Sequence, residues 1–215
     1  MARTDIKCDS CPHVDCLNNY PQGIPEHCWA NQCPAVLEET KASYMTPEAH
    51  QLFVAAGKVA TKGYRKWPRI QEAIEFSKEL GVTRVGLASC VSLFSELRDV
   101  ARLFKGAGFE VVAAACQVGR VPPTQRGLPE EFATYQGVYC NPIAQAELLN
   151  RAGTQINFVL GLCLGHDILF HQHSRAPAST LIVKDRVTGN NPSAALHSFF
   201  HRRSLWKEYI GQDIL

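Results

Sequence analysis

The stretch INFVLGLCLGHDILF, residues 156–170, decides how the fold is read. Ile156, Phe158, Val159 and Leu160 open it as a short continuous apolar run, the pattern of a strand buried on both faces. The run breaks at Gly161, Cys163 sits in the break, and a helical segment restarts from about Gly165. Strand, glycine break and helix together form half of a crossover unit, because parallel strands can be joined only by a long connection across a sheet face. A thiol at the exit of such a strand stands on the rim where open α/β folds bind their ligands.

The same pattern recurs on either side. VTRVGLAS (82–89) reads as a strand, and Leu93, Leu97, Val100, Ala101 and Phe104 give the following helix an apolar face that ends near Gly106 and Gly108. FEVVAAA (109–115) is a second strand, followed by a Pro- and Gly-rich section, 117–136, with a short helix around 130–135. Asn141-Pro142 opens the helix NPIAQAELLNRAG, closed by glycine. STLIVK (179–184) is a further strand, and a final helix begins near Pro192. Upstream, Thr46-Pro47-Glu48 starts a helix running to about Thr61, and another runs from Pro68 to Gly81. The expected class is α/β, with a mostly parallel, Rossmann-like or flavodoxin-like sheet of about four to five strands and right-handed crossovers.

Residues 1–45 have a different texture. The first 35 are rich in Cys, Pro, Asn and His and lack an apolar period, so they bury too little surface to order without a metal or another staple. The organisation expected is a cysteine-rich metal-binding segment, 1–45, and an α/β domain, 46–215. In the segment, Cys8-x2-Cys11-x4-Cys16 followed by Cys28-x4-Cys33-Pro34 has the spacing of metal ligands. Two thiolates of a C-x-x-C turn reach one ion, and later cysteines complete a four-sulfur shell. Five thiols leave one spare for four positions. The single C-x-x-C knuckle favours an iron–sulfur cluster over a zinc ribbon, and zinc remains the alternative at this end.

The chain of 215 residues carries 46% apolar and 20% charged residues and a formal charge of +2. That balance gives no footprint for nucleic acid or an anionic membrane surface. The opening MARTDIKCDSCPHVDC lacks a signal-peptide core and no segment reaches membrane-span length, so the expected location is cytoplasmic. Nine cysteines, an odd number in a reducing compartment, argue against a disulfide framework.

Beyond the five at the start, Cys90, Cys116 and Cys163 each follow a strand, and Cys140 immediately precedes a helix cap. In a parallel sheet these exits share one rim, and neighbouring strands are only about 4.8 Å apart. The expectation is a second cluster, of the 4Fe-4S type, held by Cys90, Cys116, Cys140 and Cys163, provided that their strands are neighbours. His166 and Asp167, in the first turn after Cys163, and Lys184 and Asp185, after the last strand, are the candidate catalytic residues; Arg186 joins them in a polar wall for an anionic molecule.

CNPIAQAELLN, GLCLGHDILF and LIVKDRVTGNNP, behind a cysteine-rich head, resemble a family of uncharacterised microbial proteins described as predicted metal-binding proteins. The resemblance covers nearly the whole chain. It implies metal binding, without a reaction, and marks Cys140, Cys163, His166, Asp167, Lys184 and Asp185 as family motif residues without roles.

Three functional classes follow. A cluster-dependent enzyme would act on a small anionic substrate in sulfur or redox chemistry, exchanging electrons with a redox partner. A non-enzymatic metal-binding or electron-transfer module would have both groups fully ligated. A zinc-stabilised α/β ligand-binding protein is disfavoured as a nucleotide binder, since VGLASC offers one glycine where G-x-G-x-x-G is needed.

Overall fold

The structure, a computed structural model, describes residues 8, 9, 11, 16, 24–133 and 139–211. The chain divides into two compact units, 1–61 and 62–215. Of the segment expected to fold around metal, residues 1–7, 10, 12–15 and 17–23 lie outside the described residues, as does the end of the expected helix at 130–135.

In the first unit, Cys28 precedes a one-turn helix, α1 (Trp29–Gln32), and Cys33 precedes α2 (Pro34–Ser43). The Cys33 N–H donates to the Trp29 carbonyl at 2.8 Å. Helix α2 was not expected from the sequence. Its signals are Pro34 in the first turn and the strong helix formers of LEETKA behind it. Helix α3 (Pro47–Gly63) opens at the expected Thr46-Pro47-Glu48 and carries the chain into the second unit.

The second unit is a four-stranded, all-parallel sheet: β1 (Arg84–Ser89), β2 (Glu110–Ala115), β3 (Ile156–Leu160) and β4 (Ala178–Ile182). The strand order is β2-β1-β3-β4. Helix α4 (Arg69–Glu79) precedes β1, α5 (Phe94–Gly106) links β1 to β2, α6 (Pro142–Arg151) links β2 to β3, and α7 (Leu164–His173) links β3 to β4.

Alternation along β1 assigns the two faces. Val85 and Leu87 join Ile156, Phe158 and Leu160 in one core with Leu97, Val100 and Phe104 of α5 and Ala73 of α4. Phe104 contacts Phe109 and Phe158, with ring centroids 5.7 and 5.4 Å away. Ala88, Ala114 and Val159 face the other way, against Ala146 and Leu149 of α6 and Phe170 of α7. The small residues here have a use: a Cβ on Gly86 would collide with the buried side chain of Asn157 on β3.

Helix α5 thus covers one face and α6 and α7 the other. After β1 the chain turns to one side, and after β3 to the opposite side. The crevice between these neighbouring strand ends is the switch point at which ligands enter such sheets.

Beyond β4 the structure departs from the single final helix expected from Pro192. Two helices form, α8 (Ala194–His197) and α9 (Phe199–Tyr209), separated at Ser198, whose φ of −75° and ψ of 123° are extended. Ser198 closes one helix through its N–H to Ala194 O and starts the next by accepting from Arg202 N–H. Ser198 makes no side-chain cap bond, so the break rests on its extended backbone and these two main-chain bonds. No helix among the described residues is long and apolar enough to cross a membrane.

Candidate functional site

Because β1 and β2 pair from Arg84↔Glu110 to Ser89↔Ala115, Cys90 and Cys116 leave adjacent strands at the same height. The Cys116 N–H donates to Ser89 O at 2.8 Å, and the Cys90 N–H to Leu160 O at 3.0 Å, extending the ladder by one residue on each side. A third connection brings in the loop: the Asn141 N–H donates to Cys116 O at 2.5 Å, which draws Cys140 over the end of β2. Asn141 also caps α6 by accepting from Ala144 N–H.

Gly161 delivers the fourth thiol. Its φ is +63°, and a Cβ there would run into Leu93, so the turn after β3 needs glycine on two counts. Its N–H donates to Ile182 O at 2.7 Å, fixing the turn to the end of β4 before Cys163 opens α7.

Cys90, Cys116, Cys140 and Cys163 consequently line one cavity of about 530 Å³, together with Ser92, Gln117, Tyr139, His166 and Arg186. Cys90 and Cys116 are buried, while Cys140 and Cys163 are half-buried. The strand order thus brings these four sulfurs to one crevice. Among the described residues no group of three or more His, Cys, Asp or Glu is placed to hold a metal ion with the side chains as they stand.

Three of the thiols, Cys90, Cys116 and Cys140, instead form a coupled relay in which each shifts its neighbour's ionisation. The Cys90 thiol, bonded to Cys116 and buried, is pushed up to about 12 despite the Lys184 ammonium beside it. Cys116 is raised by its bond to Cys140, and Cys140 is lowered by that same bond. Cys140 is therefore the first of these three to ionise, stabilised by the S–H of Cys116. Positive groups flank the sulfurs: Lys184 Nζ lies 3.0 Å from Cys90 Sγ and 2.7 Å from Ser92 Oγ, and Arg186 Nη2 lies 3.5 Å from Cys163 Sγ. The Val91 N–H donates to Cys116 Sγ at 3.4 Å.

A buried amide braces the rim. Gln145 of α6 donates through Nε2 to Ala114 O at 2.8 Å and to Ser89 O at 3.2 Å, directly below Cys116 and Cys90. Sequence reading missed Gln145, although a glutamine among Ala146 and Leu149 on the inward face of a helix is a signal for such a brace.

The expected polar wall divides. His166 lines the cavity, with Tyr139 edge-on at 5.7 Å; burial and the nearby Arg126 push its imidazole down, towards the neutral form. Lys184 and Arg186 reach sulfurs. Asp167 is not brought to the cavity: Thr180 Oγ1 donates to it, 3.2 Å from each carboxylate oxygen, and His171 Nε2 lies 3.3 Å away. Asp185 is not brought there either, since it accepts the Val187 and Thr188 N–H groups at 2.9 and 3.1 Å in a tight local turn. Both carboxylates serve the local structure.

The family model described as "Protein of unknown function (DUF1847)" matches residues 28–181, from Cys28 through all four rim cysteines to β4. The chain belongs to this family. It is also similar to an uncharacterized protein of Methanocaldococcus jannaschii, 31% identical over 200 residues, spanning 93% of this chain and 98% of that relative. The matched region holds β1 to β3, β4 up to its penultimate residue, and the four rim cysteines.

Proposed function

We propose that Cys90, Cys116, Cys140 and Cys163 hold an iron–sulfur cluster, of the 4Fe-4S type, and that the protein is a cluster-dependent enzyme acting on a small anionic molecule in sulfur or redox chemistry. The observation that carries this reading is the meeting of four thiols, from three strand exits and one helix entry, around one cavity of about 530 Å³. A core of four irons and four sulfides fits a space of that size, whereas a single zinc ion would draw its sulfurs to within about 3.8 Å of one another and leave most of it open.

The surroundings support the same reading. A cluster carried on four thiolates has net negative charge, and Lys184, Arg186 and the Val91 N–H already point at three of the four sulfurs. Binding requires the Cys90–Cys116–Cys140 relay to lose its protons and the side chains to turn. Once bound by all four thiolates, the cluster would supply one-electron chemistry, with Lewis acidity only at an iron whose thiolate the substrate displaces, and His166 would offer a neutral imidazole at the cavity wall. The N-terminal cysteines, Cys8, Cys11, Cys16, Cys28 and Cys33, are the proposed second metal site, an iron–sulfur cluster or zinc, and as a cluster it would exchange electrons with a redox partner.

The test is iron, zinc and acid-labile sulfide analysis of protein purified without oxygen. The reading requires about four irons and four sulfides per rim site, lost when Cys90 and Cys163 are both replaced by serine. Zinc without sulfide would replace it with the zinc-stabilised binding protein.

A further inference from the structure

Beside the thiol cavity lies a second one, of about 280 Å³, which shares Tyr139, Cys140 and His166 with it. We propose that this second cavity binds a small organic carboxylate with an apolar body: Arg126 takes the carboxylate, and Leu128, Pro142, Ile143 and Leu169 hold the body. The inference names the substrate class for the small-anion enzyme proposed above, and rests on that reading for the chemistry though not for the binding.

The cation is fixed but not neutralised. Arg126 donates through Nη1 to Cys140 O at 2.6 Å and through Nη2 to Val121 O at 3.2 Å, so two main-chain carbonyls hold the guanidinium in place. Among the described residues it has no carboxylate partner, and its remaining N–H groups keep the forked geometry that a carboxylate matches. Arg126 is exposed on its outer side, which leaves a route for a charged ligand from solvent.

The wall shared with the thiol cavity has an unmet need. His166 Nδ1 is buried and lacks a hydrogen-bond partner, an arrangement that native structures rarely tolerate unless a ligand or water completes it. A polar group of the bound molecule at the Tyr139–Cys140–His166 wall would satisfy it, and would stand where the two cavities meet.

Apart from Asn141, whose side chain accepts from Ala144 N–H as the cap of α6, the remaining lining is apolar, contributed by Pro123, Leu128, Pro142, Ile143 and Leu169. One cation against an apolar wall suits a single carboxylate on a hydrocarbon body better than a phosphate, which calls for several donors. A volume of about 280 Å³ lies at the lower edge of ligand pockets and admits roughly ten non-hydrogen atoms.

The experiment is calorimetric titration of the full-length, anaerobically purified protein with benzoate, with hexanoate and with the neutral isostere benzamide, while iron and sulfide are measured on the same samples. Benzoate or hexanoate should bind at least tenfold more tightly than benzamide, and Arg126→Gln should erase that preference. Because Arg126 also holds the Cys140 carbonyl, a second variant is needed: Ile143→Phe, at an exposed position in the first turn of α6, should fill the cavity and weaken carboxylate binding at least tenfold with Arg126 intact. Metal content should be unchanged in the Ile143 variant. Failure of both carboxylates to bind, equal affinity for benzamide, or wild-type affinity in both variants would overturn the proposal. Carboxylate binding of the expected pattern in a protein without iron would sink the cluster and leave the pocket standing; iron without carboxylate binding would do the reverse.

Discussion

Lys184 Nζ lies 3.0 Å from Cys90 Sγ, across 94 residues of sequence. The contact joins the exit of β4 to the exit of β1, two strands that are not neighbours, and crosses the turn at Gly161 between them. An ammonium held against a buried sulfur has its use when that sulfur is a thiolate. Lys184→Met should therefore weaken metal retention at the rim by roughly ten- to a hundredfold, the usual effect of removing a group that supports a ligand. Competition with a chelator, comparing this variant with wild type and Lys184→Arg, measures it; unchanged retention would make the lysine a bystander.

The relay predicts an order of thiol reactivity in the metal-free protein. Cys140, lowered by its neighbour Cys116, should be alkylated by iodoacetamide at lower pH than Cys116 and Cys90, and Cys90, pushed up to about 12, should react last of these three. The sign for stability follows from the same shift. A thiol whose pKa is raised on folding contributes stability below its unfolded value of 9.0, and that stability is lost as pH rises through the folded value. Denaturant titrations of metal-free protein between pH 8 and pH 11 should show this decline, and Cys90→Ser should flatten it.

Gly161→Ala places a side chain at φ +63° and against Leu93. It should cost about 1–3 kcal/mol from the backbone alone, and more if Leu93 cannot move. Urea unfolding reads the loss. Because the same turn sets Cys163 at the cavity, metal bound at the rim should fall with it even in the folded fraction.

Gln145→Ala removes the brace beneath Cys90 and Cys116. Two buried carbonyls then lose a donor, at a cost of about 1–3 kcal/mol, and the strand ends lose their common support. A variant as stable as wild type, with undisturbed rim thiol reactivity, would contradict this role.

The parts of the site that were legible in the sequence are those set by short-range pattern. Cys90, Cys116 and Cys163 follow apolar runs of strand length, and a parallel sheet sends every such exit to one rim, so their common location follows from periodicity. The β2-β1-β3-β4 order, which makes the exits neighbours, is set by packing of α5 on one face and α6 and α7 on the other, and no local signal encodes it. Cys140 joins through the Asn141 N–H bond to Cys116 O, a contact made by a loop. Asp167 and Asp185 sit at the right rim in sequence, yet short carboxylates take the nearest donors, here Thr180 and the Val187 and Thr188 amides. Arg126 was not legible because its loop reads only as Pro- and Gly-rich punctuation, and its value depends on where that loop lands.

The central claim is that the four rim sulfurs share an inorganic core. Diffraction from crystals grown without oxygen, collected on both sides of the iron absorption edge, tests it most directly. The account predicts an anomalous iron peak inside the cavity, within bonding distance of Cys90, Cys116, Cys140 and Cys163. A cavity free of iron signal in protein whose iron is bound only by the N-terminal cysteines would contradict it.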